Sequence, residues 1–407
     1  MATSELPRPT VVAERGRPVR VLMLCYEYPP LGGGTAAACS SLLAELARTD
    51  KVEVDLVTSG TRPQVERAEL APHVRIHRLP IAKTDARFWR AREIAEWLWR
   101  ALPYARALAC RQRFDIGHCW AGWPSGVIGW RLRARMPYVV SLRGSDVPGY
   151  NERLRLLDPA FRPLVRRIWR DAAHISAVSA DLRALAWQTE PGLAIDVIAN
   201  GVDTRRFMPA GRAARHDIMF AGRLIRRKGV AHLLEAYAAL GDLSGRPRLL
   251  IAGDGPERGA LEALSRRLSI ADSVTFLGHL ERDRLARVYG EAGIFVLPSL
   301  ADALPNVVPE AMASGQAIVT TATGARELLQ NNGLVVPPGD SAALRDALAR
   351  YLTDPPLLLR HQNRSRRLAL EMSWPAVAEW TLGVYRGVLA TAAARTGVVV
   401  GLMAGCV

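Results

Sequence analysis

Two carboxylates and two cations are the side chains of this sequence best suited to work on an anionic, hydroxyl-rich ligand. Asp302 and Glu310 lie eight residues apart in Pro298-Ser-Leu-Ala-Asp302-Ala-Leu-Pro305-Asn306-Val-Val-Pro-Glu310-Ala-Met-Ala-Ser-Gly315. An apolar stretch ends at Pro298, the loop carries Asp302, and a helix opening near Asn306 carries Glu310 before Gly315 stops it. In that arrangement one acid can bind sugar hydroxyls and the other a ribose. Backbone N–H groups at the helix start, those of Asn306 and Val307, can meet a diphosphate, whereas Pro305 and Pro309 have none to give. The alternative is that Asp302 caps a turn and Glu310 only favours the helix N-terminus.

The cations are Arg223 and Lys228 in Gly222-Arg223-Leu-Ile-Arg-Arg-Lys228-Gly229. Lys228 is one of three lysines against fifty-one arginines, so an ammonium stands where this chain ordinarily uses a guanidinium. An ammonium is a point charge for one phosphate oxygen, and a guanidinium is a fork that grips two. The pair reads as a diphosphate site or as a solvated basic turn before a helix. A third segment, Gly32-Gly33-Gly34, follows a strand and opens a helix, where glycine lets backbone N–H groups approach a phosphate. The dinucleotide spacing G-x-G-x-x-G is not met there, which argues against a nicotinamide enzyme. Gly253-Asp254-Gly255-Pro256 is either a structural turn or a ligand contact.

Strand and helix must alternate to position these groups. Strands are expected at 19–25, 52–58, 74–79, 115–118 and 138–142, and again at 217–221, 248–252, 274–277, 294–297 and 318–320, with helical stretches between. Such a series gives parallel sheets covered by helices on both faces, and ligands bind outside the carboxyl ends of the strands. The expected organisation is a flexible 1–18, a Rossmann-like domain at 19–202, a second at 203–372, a helix at 373–395 long enough to cross back over the first domain, and a tail at 396–407.

The 407 residues suit two domains, and a 49% apolar, 23% charged composition suits a soluble globular protein. A net charge of +15 favours an anionic ligand or an acidic membrane surface; no zinc spacing, RNP-like strand or basic zipper points to nucleic acid. Cys25, Cys39, Cys110, Cys119 and Cys406 form neither a metal pattern nor a disulfide framework, so a reducing cytoplasm is expected. No secretory signal or membrane-spanning segment is visible. Between Arg87 and Arg113 there are seven arginines, with Phe88, Trp89, Trp97, Trp99 and Tyr104 and an apolar stripe at helical spacing that Pro103 is expected to split. Arg153 to Arg170 adds six arginines and Trp169. Both stripes either face the core or lie on an anionic bilayer.

The chain resembles the family 4 glycosyltransferases. The likeness runs through Tyr28-Pro-Pro-Leu-Gly-Gly-Gly34, Arg143-Gly-Ser-Asp146, Asn200-Gly-Val-Asp-Thr-Arg-Arg-Phe207, Gly222-Arg223…Lys228-Gly229, Gly253-Asp-Gly-Pro256, Phe276-Leu-Gly278, Asp302…Glu310-Ala-Met-Ala-Ser-Gly315, Asn332-Gly-Leu-Val-Val-Pro-Pro-Gly-Asp340 and Ser373-Trp374. The resemblance implies a GT-B fold, two Rossmann-like domains facing across a cleft, and transfer of a sugar from a nucleotide sugar with retention. It implies that Arg223 and Lys228 bind the donor diphosphate and Glu310 its ribose. Asp302 and the backbone after it hold the transferred sugar, Gly278-His279-Leu280 meets the base, and Gly33 and Gly34 approach the phosphates from the other domain.

This sequence departs from the family's pattern in three places. Asp302-Ala303 stands for a usual Glu-Gly, Arg143-Gly144 for a frequent His-Gly, and Thr323-Gly324-Ala325 for a later Gly-Gly, with Glu327 retained. An arginine at 143 cannot do histidine's proton chemistry but can stabilise a leaving phosphate. The family often has His-x-His near His118, of which this chain has the first, leaving His118 as a structural histidine or an acceptor contact. The expectation is therefore a cytoplasmic glycosyltransferase, with the inner face of the cytoplasmic membrane as a candidate location. Its catalytic set would be Asp302, Glu310, Arg143, Arg223 and Lys228, with a UDP- or GDP-sugar donor, a glycan or lipid-linked acceptor, and no metal or other cofactor. A non-catalytic sugar-nucleotide-binding partner and a nucleotide-sugar epimerase of the same fold are the alternatives.

Overall fold

The structure, a computed structural model, describes residues 17–85, 89–150, 158–211, 216–241, 247–300, 306–322 and 326–404. It divides into two compact units, Met1–Asn200 with Trp374–Val407, and Gly201–Ser373.

In the first unit the chain runs β1 (Val19–Leu24), α1 (Gly34–Leu46), β2 (Val52–Gly60), β3 (Glu66–Ala71), β4 (Val74–Pro80), α2 (Ala91–Arg111), β5 (Ile116–Trp120), α3 (Ser125–Leu132), β6 (Tyr138–Leu142), α4 (Asp158–Arg170), β7 (His174–Ala177), α5 (Ala180–Thr189) and β8 (Asp196–Val197). The sheet order is β3-β4-β2-β1-β5-β6-β7-β8, parallel except for the β3–β4 pair. The central strands are apolar on both faces, as a sheet covered by helices requires. β3 reads Glu-Arg-Ala-Glu-Leu-Ala and is largely exposed, so it carries no apolar alternation by which it is recognisable.

The second unit runs β9 (Ile218–Ala221), α6 (Val230–Ala238), β10 (Leu249–Ala252), α7 (Arg258–Arg267), β11 (Val274–Gly278), α8 (Arg282–Glu291), β12 (Ile294–Leu297), α9 (Val307–Ala313), β13 (Ala317–Thr321), β14 (Gly333–Val336), α10 (Ser341–Thr353) and α11 (Pro355–Glu371). Its order is β11-β10-β9-β12-β13-β14, all parallel. β9 and β12 are neighbours whose connections leave in opposite directions. That topological switch point is where such sheets open a crevice beyond their carboxyl ends.

The last helix, α12 (Trp374–Ala404), belongs to the first unit. Trp374, Ala378, Leu382 and Tyr385 enter its core beside Cys39, Leu42 and Leu43 of α1, and Lys51 pairs with Glu379 at 2.8 Å. The helix continues past the expected end at 395, because Gly397-Val-Val-Val-Gly-Leu-Met-Ala404 contains no proline to stop it. A second correction concerns α2, which is one helix through Pro103. Pro103 sits on the exposed side, where the carbonyl it leaves without a donor can be hydrated.

The apolar stripes of both arginine-rich segments face inward. On α2, Trp97, Ala101 and Ala105 are buried, with Ile94, Leu98, Leu102 and Leu108 packed on the same core. On α4, Val165, Ile168 and Trp169 are buried. The apolar stripes are therefore core and not bilayer faces. Arg87, Phe88 and Arg153 lie outside the described residues. Among the described residues no helix is long and apolar enough to cross a membrane.

Candidate active site

The second unit brings Arg223, Lys228 and Glu310 to the segments that follow β9 and β12, at the switch point. β9 ends at Ala221, and the turn after it is bonded to the turn after β10: Gly222 N donates to Ala252 O at 2.9 Å, Leu224 N to Asp254 O at 2.9 Å, and Glu257 N to Leu224 O at 3.1 Å. These turns pack so closely that a Cβ on Gly253 would lie 1.8 Å from Gly222 O. Gly253-Asp254-Gly255 is accordingly the structural turn, shaped to support the arginine-bearing loop. Arg223 extends from that loop exposed.

Lys228 closes a single 3-10 turn, Arg226–Lys228, and is only 9% exposed. Gly229 follows in the left-handed region at φ 67°, and Arg227 O accepts from Leu300 N at 2.8 Å. The cation loop is thus tied to the start of the segment that leads from β12 toward Glu310. Asp302 itself, with Ala303 and Pro305, lies outside the described residues, as do Thr323, Gly324 and Ala325.

Glu310 occupies the first turn of α9, with Glu310 N bonded to Asn306 O at 3.2 Å. Asn306 is exposed and stands at the N-cap, its side chain making no cap bond, and Val307 is half-buried. Burial pushes the Glu310 carboxyl up to about 7, against the opposing charge of Arg282 and a hydrogen bond with Tyr289. Neither Tyr289 nor Arg282 is recognisable from sequence as a neighbour of Glu310, because both come from α8. Gly278 ends β11 at φ 67° with its carbonyl accepting from Gly253 N at 2.8 Å; His279 is exposed and Leu280 buried. Gly278-His279-Leu280 therefore borders the β10 turn.

The first unit has the same order of strands about β1 and β5, and its residues gather at the corresponding end. Gly33 caps α1, which begins at Gly34. The Gly33 amide already donates to Glu27 Oε2 at 3.2 Å, and burial raises the Glu27 carboxyl. Arg143 is half-buried, with its guanidinium 4.2 Å from the Trp120 ring centroid and a hydrogen bond to Asn200 Oδ1. Burial lowers its pKa to about 10, which leaves it charged at neutral pH. Asp146 pins this loop: Oδ1 accepts from Arg143 N at 2.9 Å and Gly144 N at 2.8 Å, and Oδ2 from Gly122 N at 2.6 Å.

His118 is the residue whose expected placement is corrected. It lies inside β5 and not at its end, 4% exposed, with Nδ1 2.6 Å from the Tyr385 hydroxyl and Nε2 2.9 Å from Ser141 Oγ. Burial, then the charge of Arg143, pushes its pKa down to about 3. Both ring nitrogens are engaged within the protein, so this neutral imidazole holds α12 on β5 and has no nitrogen left for an acceptor. Among the described residues no cluster of His, Cys, Asp and Glu is placed to hold a metal.

Residues 33–201 match the family described as glycosyl transferase 4-like domain, and residues 215–354 that described as glycosyl transferases group 1. An uncharacterized glycosyltransferase of Methanocaldococcus jannaschii is 27% identical over 90% of this chain and 98% of its own. A GDP-mannose-dependent alpha-mannosyltransferase of Mycobacterium tuberculosis is 28% identical over 91% and 97%. Among solved structures, sucrose-phosphate synthase of Thermosynechococcus elongatus superposes with a TM-score of 0.73 at 23% identity, covering 92% of this chain and 100% of that one. With a carboxylate and two cations at the switch point of one parallel sheet, and matched domains on both sides of residue 202, the chain belongs to the group 1, family 4-like glycosyltransferases of GT-B fold.

Proposed function

We propose that this glycosyltransferase moves a sugar from a UDP- or GDP-sugar to a glycan or lipid-linked acceptor with retention, in the synthesis of a bacterial surface polysaccharide or glycolipid. The observation that carries the reading is the placement of Arg223 and Lys228 on the segment after β9 and of Glu310 on the segment after its neighbour β12, beyond the carboxyl ends of both strands. In this reading Arg223 and Lys228 take the diphosphate, Glu310 the ribose hydroxyls, and Gly278-His279-Leu280 the base. Asp302 holds the transferred sugar, and Gly33, Gly34 and Arg143 act from the first unit.

The chemistry is electrostatic. Fixed positive charges that meet the diphosphate as its bond to the sugar breaks stabilise the transition state more than the ground state. The acceptor hydroxyl then attacks from the face the diphosphate leaves. Because the cations supply that charge, the proposal needs no metal, and turnover is expected to persist in chelator. The similarity to a GDP-mannose-dependent enzyme supports a nucleotide-sugar donor.

Peripheral contact with an anionic membrane on the cytoplasmic side is part of the proposal. It is supported by the outer face of α2, where Arg92, Trp99 and Arg106 are exposed, Trp99 by 75%. A thermal-shift panel of UDP-, GDP- and ADP-sugars tests the donor assignment, since a ligand that binds only the native state raises the melting temperature. A UDP- or GDP-sugar is expected to do so, and a panel without any shift defeats the reading.

A further inference from the structure

At the end of the first unit's sheet opposite the carboxyl ends, the chain builds a second basic concavity. A cavity of about 300 Å3 is lined by Ala109, Cys110, Arg111, Gln112, Arg113, Phe114, Arg135 and Met136. These residues come from the last turn of α2, the segment leading into β5, and the turn before β6. β5 and β6 are parallel neighbours, so the cavity sits at their amino ends. The ligand-binding ends of both strands are at the other edge of the sheet.

The lining residues include three arginines and no acid. Some exposed arginines of this unit are matched locally, Arg62 with Glu66, Arg133 with Asp171 and Arg170 with Glu190. Arg111, Arg113 and Arg135 have no ion pair among the described residues. The nearest acid in sequence, Asp115, is occupied by Arg17 and by the Arg20 amide. Gln112 turns the other way, donating to Asp55 Oδ2 at 2.9 Å. Arg111 alone is explained by its place in the last turn of α2, where a cation suits the helix dipole. Arg113 and Arg135 lie outside any helix and have no such reason.

Phe114 and Met136, both buried, give the cavity an apolar floor beneath the charged rim. Three like charges around one concavity repel one another unless an anion sits between them, and guanidinium forks match the oxygens of a phosphate ester. The volume is at the lower end of small-ligand pockets and suits a phosphate carrying a short carbon or sugar substituent. We propose that the Arg111–Arg113–Arg135 cavity is a phosphate-ester site, separate from the donor crevice, taking either a soluble phosphate monoester or the phosphate of a lipid headgroup.

The test uses the full chain and two probes: glycerol phosphate, followed by calorimetry, and phosphatidylcholine vesicles with and without phosphatidylglycerol, followed by co-sedimentation. The variant is Arg111→Gln/Arg113→Gln/Arg135→Gln, all three side chains being exposed. Arg266→Gln/Arg267→Gln/Arg360→Gln removes the same charge from exposed sites in the second unit. At least a tenfold loss of binding in the first variant only is expected, for one probe or both. Loss with glycerol phosphate assigns a soluble ester, and loss with the phosphatidylglycerol vesicles alone assigns a lipid headgroup. Equal loss in the two variants, no loss in the first, or no binding of either probe by the unsubstituted protein overturns the proposal. Donor-sugar binding is measured alongside and is expected to be unchanged, so failure here is distinct from failure of the donor assignment.

Discussion

A Cβ placed on Gly229 would stand 2.1 Å from the carbonyl oxygen of Pro298. The loop that ends in Lys228 and the segment that follows β12 therefore close on each other with no room for a side chain, and the Leu300 N to Arg227 O bond joins them beside that contact. The approach fixes the cation relative to the strand that leads to the carboxylates.

Gly229→Ala meets two obstacles at once. The residue sits at φ 67°, where an L side chain costs about 1–2 kcal/mol, and the collision is with backbone that cannot swing away. A total near 2 kcal/mol lowers the melting temperature by about 4–8 °C in a unit of this size. Donor affinity falls as well, since relief of the clash displaces Lys228. A melting curve and a donor titration on the same preparation check both effects, and an unchanged pair of values contradicts the packing described here.

Lys228→Ala separates the charge from the scaffold. The loop geometry is held by Gly229 and by backbone bonds, so the circular dichroism spectrum is expected to stay that of the parent. Loss of one charge-assisted contact to phosphate corresponds to about 1.5–3 kcal/mol, or roughly ten- to a hundredfold in the donor dissociation constant. Lys228→Arg is expected to recover only part of this, because a flat fork does not replace a point charge in a nearly buried position. Calorimetry with the nucleotide sugar decides; parent-like affinity in the alanine variant removes Lys228 from the site.

Lys228 stands out in the sequence for a compositional reason, as a lysine in an arginine-rich chain. The strand-helix alternation was legible because central strands of a parallel sheet are apolar on both faces, as in Ile218–Ala221 and Ile294–Leu297. β3 was not, since a charged edge strand is defined by its partner β4 and not by its own pattern. Tyr289 and Arg282 could not be placed near Glu310 because that contact is made by packing of α8. The same limit applied to His118, whose role depends on Tyr385 across 267 positions of chain. Glu27 carries no sequence signal of its own, because only the fold returns the Gly33 amide to it.

Glu310 gives a pH test. Its carboxyl is raised from an ordinary 4.5 to about 7 by burial, so between those values the folded protein keeps a proton that the unfolded chain has released. Stability contributed by this group is therefore present below 4.5 and is lost as pH rises through about 7. A carboxylate binds ribose hydroxyls as an acceptor, so donor affinity is expected to tighten several-fold as pH rises through about 7. The pyrophosphate of a nucleotide sugar does not titrate in that window. Glu310→Gln should flatten the profile, and a slope preserved in that variant assigns the titration to another group.

Asp55 offers the opposite sign in the first unit. It is 2% exposed and accepts from Arg75 at 2.9 and 2.7 Å and from Gln112 at 2.9 Å, with His77 Nε2 at 2.7 Å. Burial would raise its pKa, but hydrogen bonds from His77 and Arg75 outweigh that and hold it at about 2. The stability it contributes is complete above 3.8 and is lost as pH falls through about 2. Asp55→Asn leaves Arg75 without its partner, at a cost of about 3 kcal/mol at neutral pH, and it reduces the acid sensitivity of unfolding. Denaturant melts at two pH values measure both.

Tyr385→Phe distinguishes a structural His118 from an acceptor-binding one. The substitution deletes only the hydroxyl that meets Nδ1, leaving a buried ring nitrogen without a partner, which costs about 1–3 kcal/mol. If His118 serves to hold α12 on β5, the variant melts earlier while KM for the acceptor and kcat per folded molecule stay at parent values. If His118 instead met the acceptor, freeing Nδ1 would reorient the imidazole between Ser141 and the ligand and move the acceptor KM. The imidazole is neutral at every working pH, its pKa being about 3, so the melting shift is expected to be the same from about pH 6 to 8. A shift that grows across this range, or an acceptor KM that moves with an unaltered melt, rejects the structural assignment.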